Sequence, residues 1–467
     1  MKSVFSSQVA VSIGDGLPMP MRIGAILTIA FGITMAVLDG AIVNVALPTI
    51  AADFNASPAS SIWVINAYQL AITMTLLPFS SLGDIIGYRR IYMVGLVLFT
   101  LMSLVCSLSD SLTTLTLARI LQGLAAAALM SVNIALVRLI YPKDRLGRGI
   151  AINSLVVAVA SAAGPTIAAG ILGIASWQWL FAINVPFGIV ALILGWRFLP
   201  CNEGRRSSRF DTPSALLNAL TFGLFFIALG GFAHNQNLWL VLGELILTLL
   251  VGLYFFRRQL SQTYPLLPVD LLRIPVFALS MGTSISSFCA QMLAMVSIPF
   301  YFQNTLGLSE IETGLLLTPW PLAIMVTAPL AGRLLERVNA GILCTIGLTL
   351  FSLGLFSLAW LPAAPGYLDI CLRMILCGVG FGLFQSPNNH TIISAAPRHR
   401  SGGASGMLGT ARLVGQTMGA ALVALMFNQF GGQGTHVSLI AAGTFAALAA
   451  VVSGPRISRM SRSLLNS

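Results

Sequence analysis

The sequence predicts an all-α integral membrane protein, and three observations support this fold class. Of the 467 residues, 57% are hydrophobic and only 8% are charged, with a mean hydropathy of +0.89. A soluble domain carries about 25% charged residues, so this chain could not cover a water-exposed surface. Its apolar runs are about twenty residues long, the length of a membrane-spanning helix, whereas a membrane β-strand needs about ten. The basic residues recur in the segments between these runs.

Apolar segments separated by glycine, proline and charged residues predict fourteen transmembrane helices. They form two groups of six, separated by a pair near the middle of the chain. The predicted organisation is a cytoplasmic tail (1–22), an N-terminal six-helix bundle (23–200), an inserted helix pair (201–260), a C-terminal six-helix bundle (261–454) and a second cytoplasmic tail (455–467).

The basic residues indicate how the chain is oriented. If the N-terminus is cytoplasmic, the predicted inner segments contain the loop lysines and arginines, and no predicted outer loop contains either. An excess of Lys and Arg in cytoplasmic loops is the general rule for membrane proteins, so we expect both termini in the cytoplasm. The lipid bilayer as partner therefore explains the net charge of +11, and we expect no nucleic-acid binding.

Equivalent residues recur in the two halves of the chain. Pro48 matches Pro299 and Arg119 matches Arg373, with offsets of 251 and 254 residues, and each pair occupies the same place in the predicted topology. Parallel repeats of this kind are typical of transporters in which one half rocks against the other.

Several other classes of function lack support. Lys2 and Lys143 are the only lysines and neither follows a glycine, so the sequence has no phosphate-binding loop of the form G-x-x-x-x-G-K-[ST]. The six cysteines include no C-x-x-C pair, and we interpret them as small hydrophobic residues. The sequence shows no metal-ligand cluster and no nucleophile–base signature, so we expect no metal, no cofactor and no enzymatic activity.

Five motifs follow one another in the first half of the chain. They are 38–48 (LDGAIVNVALP), 83–90 (GDIIGYRR), 119–123 (RILQG), 164–170 (GPTIAAG) and 177–186 (WQWLFAINVP). In this order they resemble the fourteen-helix drug:proton antiporter family of the major facilitator superfamily, the multidrug efflux type. The resemblance extends over about 23–454 and implies a major-facilitator-type fold, with two six-helix bundles plus an inserted pair of helices.

The resemblance also implies roles for the motifs. The segment 83–90 is similar to the cytoplasmic gating motif, 119–123 to the motif linked with proton coupling, and 164–170 to the antiporter motif. The chain departs from these patterns at four positions. Ser80 replaces the first glycine of the gating motif and Ile85 its basic residue, while Ala168 and Ala169 replace the paired glycines of the antiporter motif.

Asp39 and Arg119 are the candidate proton-coupling residues. Asp39 lies about nine residues from the outer end of the first span and Arg119 about seven from that of the fourth, which places them roughly 13 Å and 10 Å deep. A charged side chain at such depth is costly and usually functional. Our hypothesis is that Asp39 exchanges a proton for a cationic substrate, with Arg119 controlling how tightly the proton is held. A static ion pair between the two spans is the alternative.

Other embedded or flanking residues have more than one interpretation. Asp84, Arg89 and Arg90, with Glu336 and Arg337 at the matching place in the second half, are predicted to form a cytoplasmic latch; orientation charges are the alternative. Gly164 and Pro165 are predicted to kink a helix and allow close contact, or to be ordinary packing residues.

Aromatic and amide side chains within the spans are candidates for the substrate cavity, because aromatic faces attract organic cations and amides orient them. Helix packing or interfacial anchoring is an equal alternative for each one. The candidates are Asn44, Trp63, Tyr68, Gln69, Trp320, Gln385, Asn388 and Asn389.

Four further polar residues within the spans receive mainly structural interpretations. Arg373 follows Asp369 by four residues, which predicts a local ion pair. We expect Arg412 to hydrogen-bond helix ends or carbonyl groups, and Glu244 to face a partner helix or to extend outward to the membrane surface. His390 is expected at a helix end rather than in a proton relay.

The sequence therefore favours a monomeric secondary transporter that uses protons to export drugs or other lipophilic or cationic small molecules across a bacterial cytoplasmic (inner) membrane. A narrow-specificity metabolite transporter of the same fold and a non-transporting membrane scaffold or receptor remain the alternatives.

Overall fold

The computed structural model describes residues 16–202, 210–233, 236–262, 265–397 and 400–465, and these ranges contain helices and no strand. Helices α1 to α8 are Met19–Asp53, Pro58–Ser61, Trp63–Ile86, Tyr88–Ser107, Leu112–Ile140, Leu146–Leu172, Gln178–Ala182 and Asn184–Phe198. Helices α9 and α10 are Thr212–Ala233 and Leu238–Ser261. Helices α11 to α17 are Pro275–Phe300, Glu310–Leu317, Pro319–Leu334, Ala340–Ala359, Tyr367–Ala395, Ser401–Phe430 and Gly434–Leu465.

Thirteen helical segments of the described chain are long and apolar enough to cross a membrane, judged by length and composition. The last segment, Gly403–Gly454, has 52 residues and contains both α16 and α17. A short 3-10 turn, Gly431–Gln433, joins these two helices. The multi-pass helical architecture is thus confirmed, whereas the count of fourteen stays a prediction.

Short polar residues and prolines shape the helices. The side chains of Ser57, Ser111 and Ser309 accept hydrogen bonds from the first turns of α2, α5 and α12, which satisfies backbone donors that have no partner within the helix. Prolines inside α1, α3, α6, α11, α13 and α15 remove a backbone donor and bend these helices.

The helices pack in two sets. Within the first set, α1 packs on α5, α6 and α8, and α5 also packs on α3 and α4. Within the second set, α11 packs on α15, α16 and α17, and α15 also packs on α13 and α14. Helix α9 contacts α3 and α16, and α10 packs against α9. The predicted boundaries of the bundles and of the inserted pair are not tested by these contacts.

Contacts between helix ends define two sides of the molecule. The basic side contains the α3–α4, α5–α6 and α15–α16 connections, where Arg89, Arg145 and Arg400 lie; Arg400 there pairs with Asp270 at 2.7 Å. On the opposite side, the α1–α2 connection meets the α6–α7 connection, where Trp177 donates a hydrogen bond to Asp53. The predicted N-terminal tail up to residue 15 and the predicted inner residues Arg205, Arg206, Arg209 and Arg398 lie outside the described ranges.

Hydrogen bonds join the two sets of helices on the opposite side. Thr49 of α1 donates to Glu310 of α12 at 3.2 Å, and Gln303 donates to the Val45 carbonyl of α1 at 3.0 Å. Thr166 of α6 and Thr318, between α12 and α13, share a hydrogen bond of 2.8 Å. The structure is therefore closed between the two sets on this side.

Asp211 links the beginning of α9 to the end of α10 on the basic side. It accepts a hydrogen bond from the Ser214 backbone amide, as an N-cap of α9, and it pairs with Arg258 of α10 at 3.0 Å. Burial raises the pKa of Asp211, but hydrogen bonds from Ser214, Gln262 and Arg258 outweigh this effect and lower the pKa to about 2. The carboxylate therefore stabilises the fold fully above its ordinary pKa of 3.8 and less as the pH falls towards 2.

We expect Asp211→Asn to lower the free energy of unfolding by about 1 kcal/mol at pH 7, because asparagine can still cap α9 but loses the charge-assisted hydrogen bond with Arg258. The difference from the unsubstituted protein should shrink as the pH falls from about 4 towards 2, because the unfolded carboxyl group takes up a proton near its ordinary pKa of 3.8 and the folded one only near 2. Thermal unfolding in detergent between pH 2.5 and 7 measures this. Asp144→Asn, at an exposed acid beside Arg145, is the control and should change little. A difference that is constant across this pH range would contradict the assignment.

Candidate transport site

A buried ion pair joins α1 to α5 in the first set of helices. Arg119 donates to Asp39, and their side chains are only 1% and 0% exposed. Gln122 donates a second hydrogen bond to Asp39 at 2.9 Å, and Asn184 of α8 donates a third at 3.3 Å. The carboxylate thus has three donors and no contact with solvent.

Arg119 has partners besides the carboxylate. Its Nε donates to the Val64 carbonyl at 3.2 Å and its Nη1 to Gln122 Oε1 at 2.7 Å. The guanidinium lies 4.0 Å from the centre of the Tyr68 ring and 5.6 Å from that of Phe181. Aromatic faces attract a cation at such distances. Arg119 therefore keeps interactions that do not depend on the charge of Asp39.

Gln122 links the pair to α4. Its amide group donates to Ser103 Oγ at 2.9 Å as well as to Asp39, while its carbonyl accepts from Arg119. Sequence reasoning placed Asp39 and Arg119 at one depth but missed Gln122, Asn184 and Ser103 as partners. The signal for Gln122 was its position three residues after Arg119, on the same helix face.

The contacts of Arg119 divide into those made with Asp39 and those made with other groups. The three donors satisfy the Asp39 carboxylate, while the Val64 carbonyl, Gln122 and two aromatic rings contact Arg119 separately. Removal of one charge from a buried pair is costly unless the remaining partner is satisfied in another way. The extra partners of Arg119 reduce that cost.

The predicted latch residues lie on the basic side, where the structure does not bring the two halves of the latch together. Asp84 is exposed and accepts a hydrogen bond of 2.6 Å from Tyr88 on the next helix. Arg89 donates to the Trp196 carbonyl and to Cys201, both within the first half of the chain. The described ion pairs include none of the other three latch candidates, which are exposed: Arg90, Glu336 and Arg337.

Gly164 and Pro165 lie where α6 contacts two other helices. A Cβ on Gly164 would be 2.5 Å from the Ala41 Cβ of α1, so only glycine permits this approach. The Pro165 carbonyl would be 2.5 Å from a Cβ on Gly314 of α12, across the interface between the two sets. Pro165 itself lies inside α6 and is buried.

The cavity candidates are dispersed. Tyr68 belongs to the ion-pair cluster and also donates to the Ala36 carbonyl at 3.1 Å. Asn388 donates to Ser284 at 2.7 Å, within the second set. Trp63 lines a narrow crevice between α3, α9 and α16. Asn44 Oδ1 and Trp320 Nε1 are buried without a hydrogen-bond partner, Gln69 is buried, and Gln385 and Asn389 are half-buried.

The remaining polar residues of the spans differ in their contacts. Arg373 forms the predicted ion pair with Asp369 at 2.8 Å and also donates to the Ser357 carbonyl. His390 is exposed. Glu244 is half-buried on α10 and lies close to Gly231 of α9, so it faces the partner helix.

The expectation for Arg412 is wrong. Its Nε is buried without a hydrogen-bond partner, and the hydrogen bonds of the described residues include none from its guanidinium to a carbonyl group. The guanidinium carbon lies 5.7 Å from the centre of the Phe288 ring of α11, a cation–π contact. No group of three or more His, Cys, Asp or Glu residues that could hold a metal occurs in the described chain.

The chain is a multi-pass helical protein with two sets of helices, and a buried ion pair lies within the first set. This architecture is typical of membrane transporters. A model of the Major Facilitator Superfamily matches residues 29–420, and the chain belongs to that family.

Three curated relatives are similar over most of the chain. The uncharacterized transporter YebQ of Escherichia coli K12 is 69% identical over 446 residues, which cover 95% of this chain and 98% of YebQ. The riboflavin transporter RibZ of Clostridioides difficile is 34% identical over 408 residues, 86% of this chain and 88% of RibZ. The multidrug resistance protein Stp of Mycobacterium tuberculosis is 31% identical over 405 residues, 84% of this chain and 73% of Stp.

Proposed function

We propose that this transporter is a proton-coupled antiporter that exports lipophilic small molecules across a bacterial cytoplasmic membrane. The observation that carries the proposal is the Asp39–Arg119 pair, because it places a single ionisable carboxyl group among satisfied donors in the membrane core. The multidrug resistance relative Stp supports export of drugs, and the similarity to bacterial relatives supports the inner membrane.

In the proposed cycle, Asp39 exchanges its ion pair for a proton. A proton that enters from the outside neutralises Asp39, and Arg119 then keeps only its carbonyl, amide and aromatic partners. The energy difference between the two states of this pair biases α1 and α5 relative to each other. Release of the proton to the cytoplasm restores the pair. The two sets of helices open alternately to the outside and to the cytoplasm. In the proposed cycle the protein carries a proton inwards in one half of this alternation and substrate outwards in the other.

The proposed topology has fourteen spans, with both termini cytoplasmic. A straight run of 52 residues would be roughly 78 Å long at about 1.5 Å per residue, more than twice the hydrocarbon core of about 30 Å. Two crossings are therefore the better interpretation of Gly403–Gly454. The arginines of the basic side support its assignment to the cytoplasm. The low burial of the α10 span, of which 11% of the most apolar window is buried, supports an inserted pair outside two six-helix bundles.

The latch, the antiporter motif and the cavity residues keep their proposed roles within this cycle. Asp84, Arg89 and Arg90 would engage the second half only when the basic side closes, which fits the present structure, closed on the opposite side. A monomer suffices for the cycle, since one chain provides both sets of helices.

Purified protein in liposomes tests the proposal. An imposed pH gradient should drive uptake of rhodamine 123 or fluorescein into vesicles, and addition of either dye should release protons that a trapped pH indicator detects. The uncoupler that abolishes the gradient should abolish the uptake. No proton movement and no uptake with either dye or with riboflavin would instead favour a non-transporting scaffold.

A second candidate is export or import of one metabolite. The similarity to RibZ, named a riboflavin transporter, favours it. In the same liposomes, saturable transport of riboflavin with no transport of either dye would select this candidate.

A further inference from the structure

Arg412 is a charged group inside the membrane region, and no acidic residue of the described ranges pairs with it. It lies near the middle of α16, eleven residues after the helix begins at Ser401. Of the acidic residues well inside the described spans, Asp39 is bound to Arg119 and Glu244 faces α9 from the periphery. An embedded arginine normally pairs with an acid or with carbonyl groups. The exception at Arg412 therefore points to a partner that is not part of the chain.

The packing of α16 shows where Arg412 faces. On one flank, Gly415 and Gly419 bring α16 against α11; a Cβ on either would be 2.5 Å from a carbonyl oxygen of that helix. On the other flank, Thr417 shares a hydrogen bond of 3.1 Å with Thr73 of α3. At its back, α9 contributes Phe226 to the crevice that Thr417 and Ala421 line.

Arg412 lies on the strip of α16 between these two flanks and away from α9. Ser405, seven residues earlier, and Gln416, four residues later, share this strip. Ser405 is exposed, while Arg412 and Gln416 are half-buried. Because α3 belongs to the first set of helices and α11 to the second, the strip faces the space between the sets. The helix position of Arg412 therefore directs its side chain towards this space rather than towards lipid.

We infer that Arg412 is an anion-binding group of the substrate site, and that the protein accepts aromatic organic anions. A guanidinium presents donors that match carboxylate or sulfonate oxygens. The Phe288 ring, 5.7 Å away, offers an apolar surface beside it, and Phe381 packs on Phe288 with ring centres 5.4 Å apart. Gln416 adds an amide on the same strip. This inference rests on the proposed function, and it replaces the cationic substrates expected from Asp39, whose carboxylate is fully enclosed.

Dye binding in detergent tests the inference without a proton gradient. Fluorescein and rhodamine 123 share a xanthene ring system, but at pH 7.5 the first is an anion and the second a cation. We expect Arg412→Gln to raise the Kd for fluorescein roughly 10- to 100-fold, the usual loss for a charge-assisted hydrogen bond. The Kd for rhodamine 123 should stay unchanged or fall. Arg412→Lys should retain part of the fluorescein affinity, because it keeps the charge but not the planar donor geometry.

Arg400→Gln is the matched control. It removes one positive charge from a pair with Asp270 on the basic side, and it should leave both dissociation constants unchanged. Equal fluorescein binding by the unsubstituted protein and Arg412→Gln would overturn the inference. The inference would also be overturned if the unsubstituted protein bound neither fluorescein nor 1-pyrenesulfonate.

Thermal unfolding separates this role from a structural one. Removal of an unpaired buried charge should leave Tm unchanged or raise it, whereas Arg373→Gln, which breaks a formed pair, should lower Tm. An equal fall of Tm in Arg412→Gln would indicate a structural role and overturn the inference. If the protein bound fluorescein but showed no proton-driven transport, the proposed antiport would be contradicted, whereas the anion-binding site would be supported.

Discussion

Asp39→Asn should abolish the gradient-driven accumulation of dye in liposomes. Asparagine keeps the shape of the side chain and an oxygen that can accept from Gln122, but it cannot lose and gain a proton. Uptake should fall to the level of vesicles without a gradient, a loss of at least about tenfold, while substrate exchange without a gradient persists. Fluorescence of vesicles at fixed internal pH measures both modes.

The control for this substitution is Asp369→Asn, at an acid that forms an ion pair with Arg373 near the end of its span. It should leave gradient-driven uptake intact. Full coupling in Asp39→Asn would mean that Asp39 and Arg119 only hold α1 against α5.

Stability of the buried pair can be separated from coupling. Arg119→Gln leaves a buried carboxylate without its cation and should destabilise the protein by about 3–5 kcal/mol. The double variant Asp39→Asn/Arg119→Gln carries no buried charge at this place and should recover much of that loss, yet remain uncoupled. Thermal unfolding of the single and double variants measures the interaction energy. Recovery of coupling in the double variant would exclude Asp39 as the proton carrier.

Gly314→Val should prevent the opposite side from closing. A Cβ at Gly314 would be 2.5 Å from the Pro165 carbonyl and 2.6 Å from the Ala169 Cβ, so the two sets of helices must separate there. Overpacking of this kind costs about 1–3 kcal/mol, which changes the population of the closed form roughly 5- to 150-fold. Transport should fall accordingly, because alternation needs both forms.

Thiol labelling measures the shift. Thr166→Cys, introduced together with Cys371→Ser to remove a half-buried native thiol, should react faster with an impermeant maleimide when Gly314→Val is added. Gly170→Val is the control on the same α6, since a Cβ there meets nothing within 4 Å. Equal labelling with and without Gly314→Val would show that valine is accommodated in the closed form.

Much of the architecture could be predicted from the sequence because lipid imposes a simple rule. Apolar runs of the right length had to be helices, and the described chain contains thirteen such segments. The turn Gly431–Gln433 shows the limit: it is so short that length and composition alone do not divide α16 from α17. The prolines within the spans can be read from the sequence, but the close contact of Gly314 with α6 depends on the relative position of two distant segments.

The candidate site was only partly predictable. Depth along a span placed Asp39 and Arg119 at one level, since rise per residue is fixed. The side-chain partners depend on helix rotation, which sequence pattern constrains poorly in a helix that is apolar all round. Gln122, Asn184 and Ser103 were missed for that reason. Arg412 was assigned carbonyl partners for the same reason, because nothing in the sequence indicated that its strip of α16 faces the space between the sets.

Helix α1 carries both the carboxylate that we propose to bind the proton and a contact that closes the opposite side. Asp39 and Thr49 are ten residues apart, roughly 15 Å at about 1.5 Å per residue. Thermodynamic reciprocity then applies to this helix: if protonation of Asp39 weakens the contact of Thr49 with Glu310, breaking that contact must raise the proton affinity of Asp39 by the same factor. A substitution at Thr49, roughly 15 Å from Asp39, would thus change the pH at which the transporter works half-maximally.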